Sequence, residues 1–200
     1  MNKKEELEKL RKRMLADSSL PLKKGTTRLV FGVGNPNTKI LCVGEGPGYW
    51  EDIKGEPFVG NAGKLLDSLL SSIKLSRNEV YITNVVHHRP PQNRDPLPEE
   101  IEAYRPYLDK ILEIINPKVI VTLGRFSMGK FIPNARITSI HGKPRIVQFN
   151  SKQLTVIPMF HPAAALRSSE VMRQIKEDFQ KLPEILKEAA KPEVKQMNLV

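Results

Sequence analysis

Cysteine is almost missing from this chain: one residue in 200, Cys42, inside the apolar run Ile40-Leu41-Cys42-Val43. A single thiol excludes a disulfide framework and a cysteine metal site, and its setting predicts a small buried hydrophobe. Long apolar runs are missing too. None reaches the ~20 residues that span a membrane, and the opening Met1-Asn2-Lys3-Lys4-Glu5-Glu6 is too charged for a signal peptide's apolar core. The chain is therefore expected to be intracellular and cytoplasmic. Acidic residues are in deficit, 22 against 32 Lys plus Arg, for a formal net charge of +10. That balance points to a polyanionic partner, nucleic acid before an anionic membrane surface, or to no more than a solvated basic surface. There are no internal repeats and no low-complexity segments. The length suits one α/β domain better than two, so 1–200 is read as a single domain.

What is present alternates between two periods. Leu7, Leu10, Met14 and Leu15 recur at helical spacing among charges and predict an amphipathic helix over 3–16. A basic loop runs from Pro21 to Thr27, and Leu29-Val30-Phe31 with Val33 reads as a short strand or hairpin arm. Apolar runs at 39–43, 80–82 and 119–123 predict buried strands. Segments 145–149 and 154–157 predict a strand pair joined by Asn150-Ser151-Lys152. Leu65, Leu66, Leu69, Leu70 and Ile73 form one helical stripe, which Asn61 is expected to cap. Ile101, Tyr104, Leu108, Ile111, Leu112 and Ile115 form another, started by Pro98-Glu99-Glu100 and stopped by Asn116-Pro117. A closing helix carries Val171, Ile175, Phe179, Leu182 and Leu186, with Pro183 expected to kink or restart it. From about Lys191 the tail reads as frayed. Strands alternating with helices predict a mostly parallel sheet covered on both faces.

In a parallel sheet, polar residues that follow the strands meet along one rim. Here Glu45, Asn84, Gly124-Arg125 and His161 each follow a separate apolar run. Gly44-Glu45-Gly46-Pro47-Gly48 throws one acid and several backbone N–H groups past its strand, a loop open to any polar ligand. Taken singly, each residue has a plainer reading. Asn84 serves as a turn or cap, His161 as a satisfied loop histidine, Phe58 as core, and Glu51-Asp52 as a helix-start pair. A phosphate loop fits less well, because GEGPG lacks the Lys-Ser/Thr of a P-loop and the G-x-G-x-x-G spacing.

Several long motifs in order narrow the choice. Gly44-Glu45-Gly46-Pro47-Gly48 with Glu51-Asp52, then Gly55-Glu56-Pro57-Phe58-Val59-Gly60-Asn61-Ala62-Gly63, resembles the first signature of the type-4 uracil-DNA glycosylases. Tyr81-Ile82-Thr83-Asn84-Val85-Val86 with Arg89-Pro90-Pro91 and Asn93-Arg94 resembles the family's middle motif, and His161-Pro162-Ala163-Ala164-Ala165-Leu166-Arg167 its last. The similarity stays in register from about residue 17 to residue 182. It implies an α/β fold, a three-layer αβα sandwich around a central, mostly parallel four-stranded sheet. It also implies an enzyme that flips uracil out of DNA and hydrolyses its glycosidic bond to leave an abasic site, without a cofactor in the chemistry.

By motif position, the resemblance makes Phe58 the residue that stacks on uracil, and Asn84 the one that bonds the base's O4/N3 edge. Glu51 would stand beside C5 against the methyl of thymine, and the Gly46 N–H would add to the pocket. His161 would face O2 of the leaving base, and Glu45 would position water and offset positive charge on the sugar. Ala165-Leu166-Arg167 resembles the loop that enters the DNA stack, and Arg89, Arg94, Lys143 and Arg145 are candidates for phosphate contact. The implied partner is uracil-containing DNA, single- or double-stranded, with no membrane and with the protein a monomer.

Typical members hold a 4Fe–4S cluster on four cysteines. Here those places carry Asp17, Leu20, His88 and Tyr104, so the cluster is expected to be absent, with Leu20 and Tyr104 packed in its place and His88 bonding nearby. His87-His88 as a metal pair is disfavoured, since neighbours on a strand point oppositely. No other metal site is expected. A second reading is a weak or inactive binder of uracil-containing or damaged DNA that uses the same pocket without turnover.

Overall fold

The structure, a computed structural model, describes residues 2–190; the tail from Lys191 lies outside them. Helix α1 (Lys3–Ala16) leads to a short strand β1 (Val33–Gly34), then β2 (Ile40–Gly44), α2 (Tyr49–Lys54) and α3 (Asn61–Ser72). Next come β3 (Tyr81–Asn84), α4 (Pro98–Ile115), β4 (Val119–Leu123), α5 (Arg125–Phe131) and α6 (Ile137–Ile140). A hairpin of β5 (Arg145–Phe149) and β6 (Lys152–Met159), then α7 (Pro162–Ala165) and α8 (Ser169–Ala190), close the fold.

The sheet has six strands in the order β1-β3-β2-β4-β6-β5, not four. The expected four are its centre: β3, β2, β4 and β6 run parallel, and β1 and β5 add an antiparallel strand at each edge. Both edges were visible as apolar segments, but whether a hairpin arm joins a sheet depends on its partner. The β5–β6 turn has positive φ at Asn150 (46°) and Ser151 (62°), as a two-residue turn matching strand twist requires.

Alternation along the strands builds two cores. Leu41, Val43, Ile120 and Val156 face α1 and α4, where Leu7, Leu10, Met14, Tyr104, Leu108 and Ile111 cover them. Cys42, Val119, Val121, Ile157 and Met159 face α3, α7 and α8, under Leu66, Leu70, Ile175, Phe179 and Leu182. The result is a three-layer αβα sandwich. Leu15, placed by periodicity on the α1 stripe, is instead 47 % exposed, because it lies a full step off the face set by Leu7, Leu10 and Met14.

Two further expectations change. Helix α8 runs through Pro183 as one element, because the apolar stripe continues beyond it in Ile185 and Leu186, which pack on the same core. The cap of α3 is Gly60, one residue before Asn61. The chain entering the helix is held from outside it: Glu51 Oε1 accepts from Val59 N and Gly60 N at 2.9 Å each.

Cys42 is 1 % exposed, and burial pushes its thiol up to about 12. Native protein is expected to resist a thiol reagent at pH 8 and to take up one label only after unfolding. Stoichiometric labelling of the folded protein would contradict this packing.

Candidate active site

Because the four central strands are parallel, their carboxyl ends share one edge of the sheet. Gly44 sits opposite Asn84 across β2 and β3, and Leu123 opposite Met159 across β4 and β6. The ladder continues past the strands, with Val85 N and Val86 N donating to the carbonyls of Gly44 and Glu45. A cavity of about 480 Å³ opens at this edge, lined among others by Glu45, Gly46, Glu51, Phe58, Asn84 and His161. The rim that sequence alone placed together is therefore one site.

Its inner wall depends on a missing side chain. A Cβ on Gly44 would lie 2.4 Å from Asn84 Oδ1 and 2.6 Å from the Phe58 ring, so only glycine lets both approach. Asn84 is 1 % exposed, and its Oδ1 has no hydrogen-bond partner. An orphaned, buried acceptor facing a cavity is what a ligand donor would satisfy. Phe58 adopts φ 55°, uncommon for an aromatic residue, and its ring stacks on that of His161 at 5.7 Å and 28°. Two devices hold it there. Arg77 donates to the carbonyls of Pro57 and Phe58 while paired with Asp67, and Gly63 leaves room for the Phe58 carbonyl, 1.8 Å from where a Cβ would be.

Glu51 and Asp52 have separate tasks. One oxygen of Glu51 is tied to the 59–60 amides while the residue lines the cavity. Asp52 is buried and accepts from Thr27 N at 2.8 Å and Arg28 N at 3.2 Å, fastening the basic loop to α2.

The two ionisable groups of the rim are shifted in opposite directions. Burial first, then the Asp95 carboxylate, raises Glu45 to about 7, against the pull of Arg125. Burial, assisted by the Arg167 cation, lowers His161 to about 4, with Glu51 opposing. His161 Nδ1 accepts the Ala163 N–H at 3.1 Å at the start of α7. A backbone nitrogen can only donate, so Nδ1 carries a lone pair and the proton resides on Nε2. At neutral pH this residue is an uncharged donor.

Arg77 and Asp95 escaped sequence reasoning. Asp95, which lines the cavity and pairs with Arg125, stood in view inside the Pro/Arg loop as its one acid. Arg77 gave no signal, since it acts from beyond α3 on carbonyls 19 and 20 residues away.

A family model for the uracil DNA glycosylase superfamily matches residues 31–187. The chain belongs to that superfamily. It is 45 % identical over 187 residues to the type-4 uracil-DNA glycosylase of Archaeoglobus fulgidus, covering 90 % of this chain and 94 % of that one. It is 44 % identical over 185 residues to that of Sulfurisphaera tokodaii, covering 90 % and 84 %. Against the Thermotoga maritima type-4 enzyme it is 45 % identical over 174 residues, covering 85 % and 89 %.

On this uracil-DNA glycosylase fold, the candidate DNA contacts divide. Leu166 is 48 % exposed just past α7, and Arg167 is exposed and lines the cavity. Ala165 is not available to DNA: it is 2 % exposed and packs in the α3–α8 core, being the last residue of α7, turned inward. Arg94 lines the cavity, but its guanidinium is committed to the buried Glu100, at 2.8 and 2.5 Å, where it braces the start of α4. Arg89 lies over the Tyr49 ring. Lys143 follows Gly142, whose N–H bonds the Pro158 carbonyl, and is exposed at the cavity's end of the sheet. Arg145 is also exposed, opposite Val156.

The four places where the family resemblance implies cluster ligands do not fit an iron–sulfur cluster. Leu20 offers no donor and is buried with Tyr104 in the α1–α4 core. His88 Nδ1 and Tyr104 Oη bond each other at 2.7 Å, and Asp17 is bonded to Ser19 and Tyr107. His87 and His88 lie beyond β3 in a bend, so strand alternation does not govern them; both rings contact Tyr104. Among the described residues, no group of three or more His, Cys, Asp or Glu could hold a metal.

Replacing Arg77 by Ala removes its donors to the Phe58 loop and is expected to cost about 1–3 kcal/mol in denaturant unfolding, with Arg77→Lys recovering part. An unchanged unfolding midpoint would show that the loop holds itself.

Proposed function

We propose that this protein is a monofunctional uracil-DNA glycosylase of base-excision repair. It draws uracil out of DNA and hydrolyses the N-glycosidic bond, leaving an abasic site. The observation that carries this reading is the unpaired Oδ1 of Asn84 in a cavity walled by Phe58. Leaving such an acceptor buried and unmet costs on the order of 1–3 kcal/mol. Uracil's N3–H meets that acceptor, while the NH₂ of the same amide reaches O4. Cytosine carries an acceptor at N3 and a donor at C4, so this amide orientation opposes it.

In this reading Phe58 stacks on the base, and Glu51 occupies the space beside C5 where thymine carries its methyl group. The Gly46 N–H adds to the pocket. As the bond breaks, negative charge grows on the base and positive charge on the sugar. His161 donates from Nε2 to O2, a contact that strengthens in the transition state. Its lowered pKa keeps it from taking up a proton at working pH, so it acts as a neutral donor. Glu45, as carboxylate, holds the attacking water and offsets the sugar's charge. A full general base is not needed, because an oxocarbenium-like centre reacts with water readily.

Leu166 fills the gap left by the flipped base, and Arg167, Arg89, Lys143 and Arg145 meet phosphates. The enzyme works as a monomer on DNA inside the cell, without metal or iron–sulfur cluster; Leu20, Tyr104 and His88 fill the cluster's place. No helix of the described residues is long and apolar enough to cross a membrane.

The test is a single-turnover assay on a uracil-containing oligonucleotide followed by alkali. Cleavage at uracil is expected, with His161→Ala slower by about 10²–10³-fold. The rate should fall as pH drops through about 7, where Glu45 gains its proton, while His161 stays neutral down to about 4. Binding without abasic sites would make the protein a non-catalytic binder instead. Purified protein should also lack stoichiometric iron and sulfide, and their presence would overturn the cluster-free reading.

A further inference from the structure

One face beside the pocket has no task in the chemistry above. Helix α2 starts at the cavity wall, with Gly48 and Glu51 among the lining residues. Its outer side carries Tyr49, Trp50 and Ile53, which are 50, 56 and 39 % exposed. They are three of the seven large apolar side chains exposed among the described residues, gathered within two turns of one helix. Scattered single exposures need no explanation, but a cluster at the mouth of a site does.

The cluster is also ordered and cationic. Tyr49 and Trp50 meet edge to face, with centroids 5.1 Å apart and planes at 78°. The Arg89 guanidinium lies 5.2 Å over the Tyr49 ring and is held by Asn93, a cavity residue, at 2.6 Å. Trp50 Cδ1 lies 3.7 Å, and a Glu51 oxygen 3.3 Å, from the same point beside Gly60, so the indole borders the pocket wall.

We propose that Tyr49 and Trp50, with Arg89 beside them for the adjoining phosphate, form a stacking platform for an unpaired nucleobase of the strand that carries the target base. The proposal rests on the glycosylase reading for the strand's identity and adds a preference for single-stranded DNA. Aromatic faces with an adjacent cation suit nucleic acid, since every base has a π-face and every nucleotide a phosphate. In a duplex both faces of each base are already covered by neighbours. Only an unpaired base leaves one free for the platform. The net charge of +10 favours this anionic occupant over an acidic-poor protein surface.

Trp50 is the only tryptophan in the 200 residues, so intrinsic emission reports this position alone. The protein is titrated with a labelled, uracil-free single strand, following anisotropy for binding and tryptophan emission for stacking. Quenching that tracks binding is expected with the single strand, and much less with the same sequence as duplex. Trp50→Ala should raise KM for uracil in a single strand by roughly tenfold or more, with a smaller effect on kcat and on duplex KM. Trp50→Phe should retain most of the affinity. Saturated binding with unchanged emission, or equal KM losses on both substrates, would overturn the platform and leave the patch to a protein partner. Because the titration uses no uracil, failure of cleavage and failure of stacking are read separately.

Discussion

The parallel alignment of β3, β2, β4 and β6 is the constraint on which the rest depends. It brings four chain segments out at one edge and fixes their spacing by the sheet's own hydrogen bonds. Gly44 then sits opposite Asn84, and the absent Cβ at Gly44 lets the amide and the Phe58 ring form one wall. With an antiparallel strand at any of these places, its polar residue would leave from the far end of the sheet. The edge strands β1 and β5 are antiparallel and contribute none of the rim residues at their carboxyl ends.

Electrostatics at the rim follow from burial more than from pairing. The same low-dielectric wall raises Glu45 to about 7 and lowers His161 to about 4, because in both cases it penalises the charged form. The His161 tautomer is set by a short helix whose first N–H, that of Ala163, points at Nδ1. At the mouth of the pocket pairing matters more. Arg167 is exposed at the cavity, whereas Arg94 is paired with Glu100 within the chain.

How much of this was readable in the sequence depended on whether a local rule decided it. Strand positions, the helical stripes and the convergence of Glu45, Asn84 and His161 follow from periodicity and from strand ends. Periodicity cannot say which edge segments join a sheet, so the sequence yields the sheet's four central strands and not the places of β1 and β5 at its edges. It also cannot say which way one residue of a short helix turns, and Ala165 turned inward. Asn61 reads as a cap by composition, but the entry to α3 is fixed by Glu51 from α2, which bonds the two amides just before the helix. Arg77 was invisible for the same reason: its acceptors are backbone carbonyls far away in sequence.

The central claim is that the buried Oδ1 of Asn84 is kept unpaired for the N3–H of uracil. It is tested most directly by NMR of the asparagine side-chain amides while free uracil, N3-methyluracil and thymine are titrated in. The account predicts that uracil alone shifts the Asn84 signals at concentrations where N3-methyluracil and thymine do not. Equal binding of N3-methyluracil would contradict it.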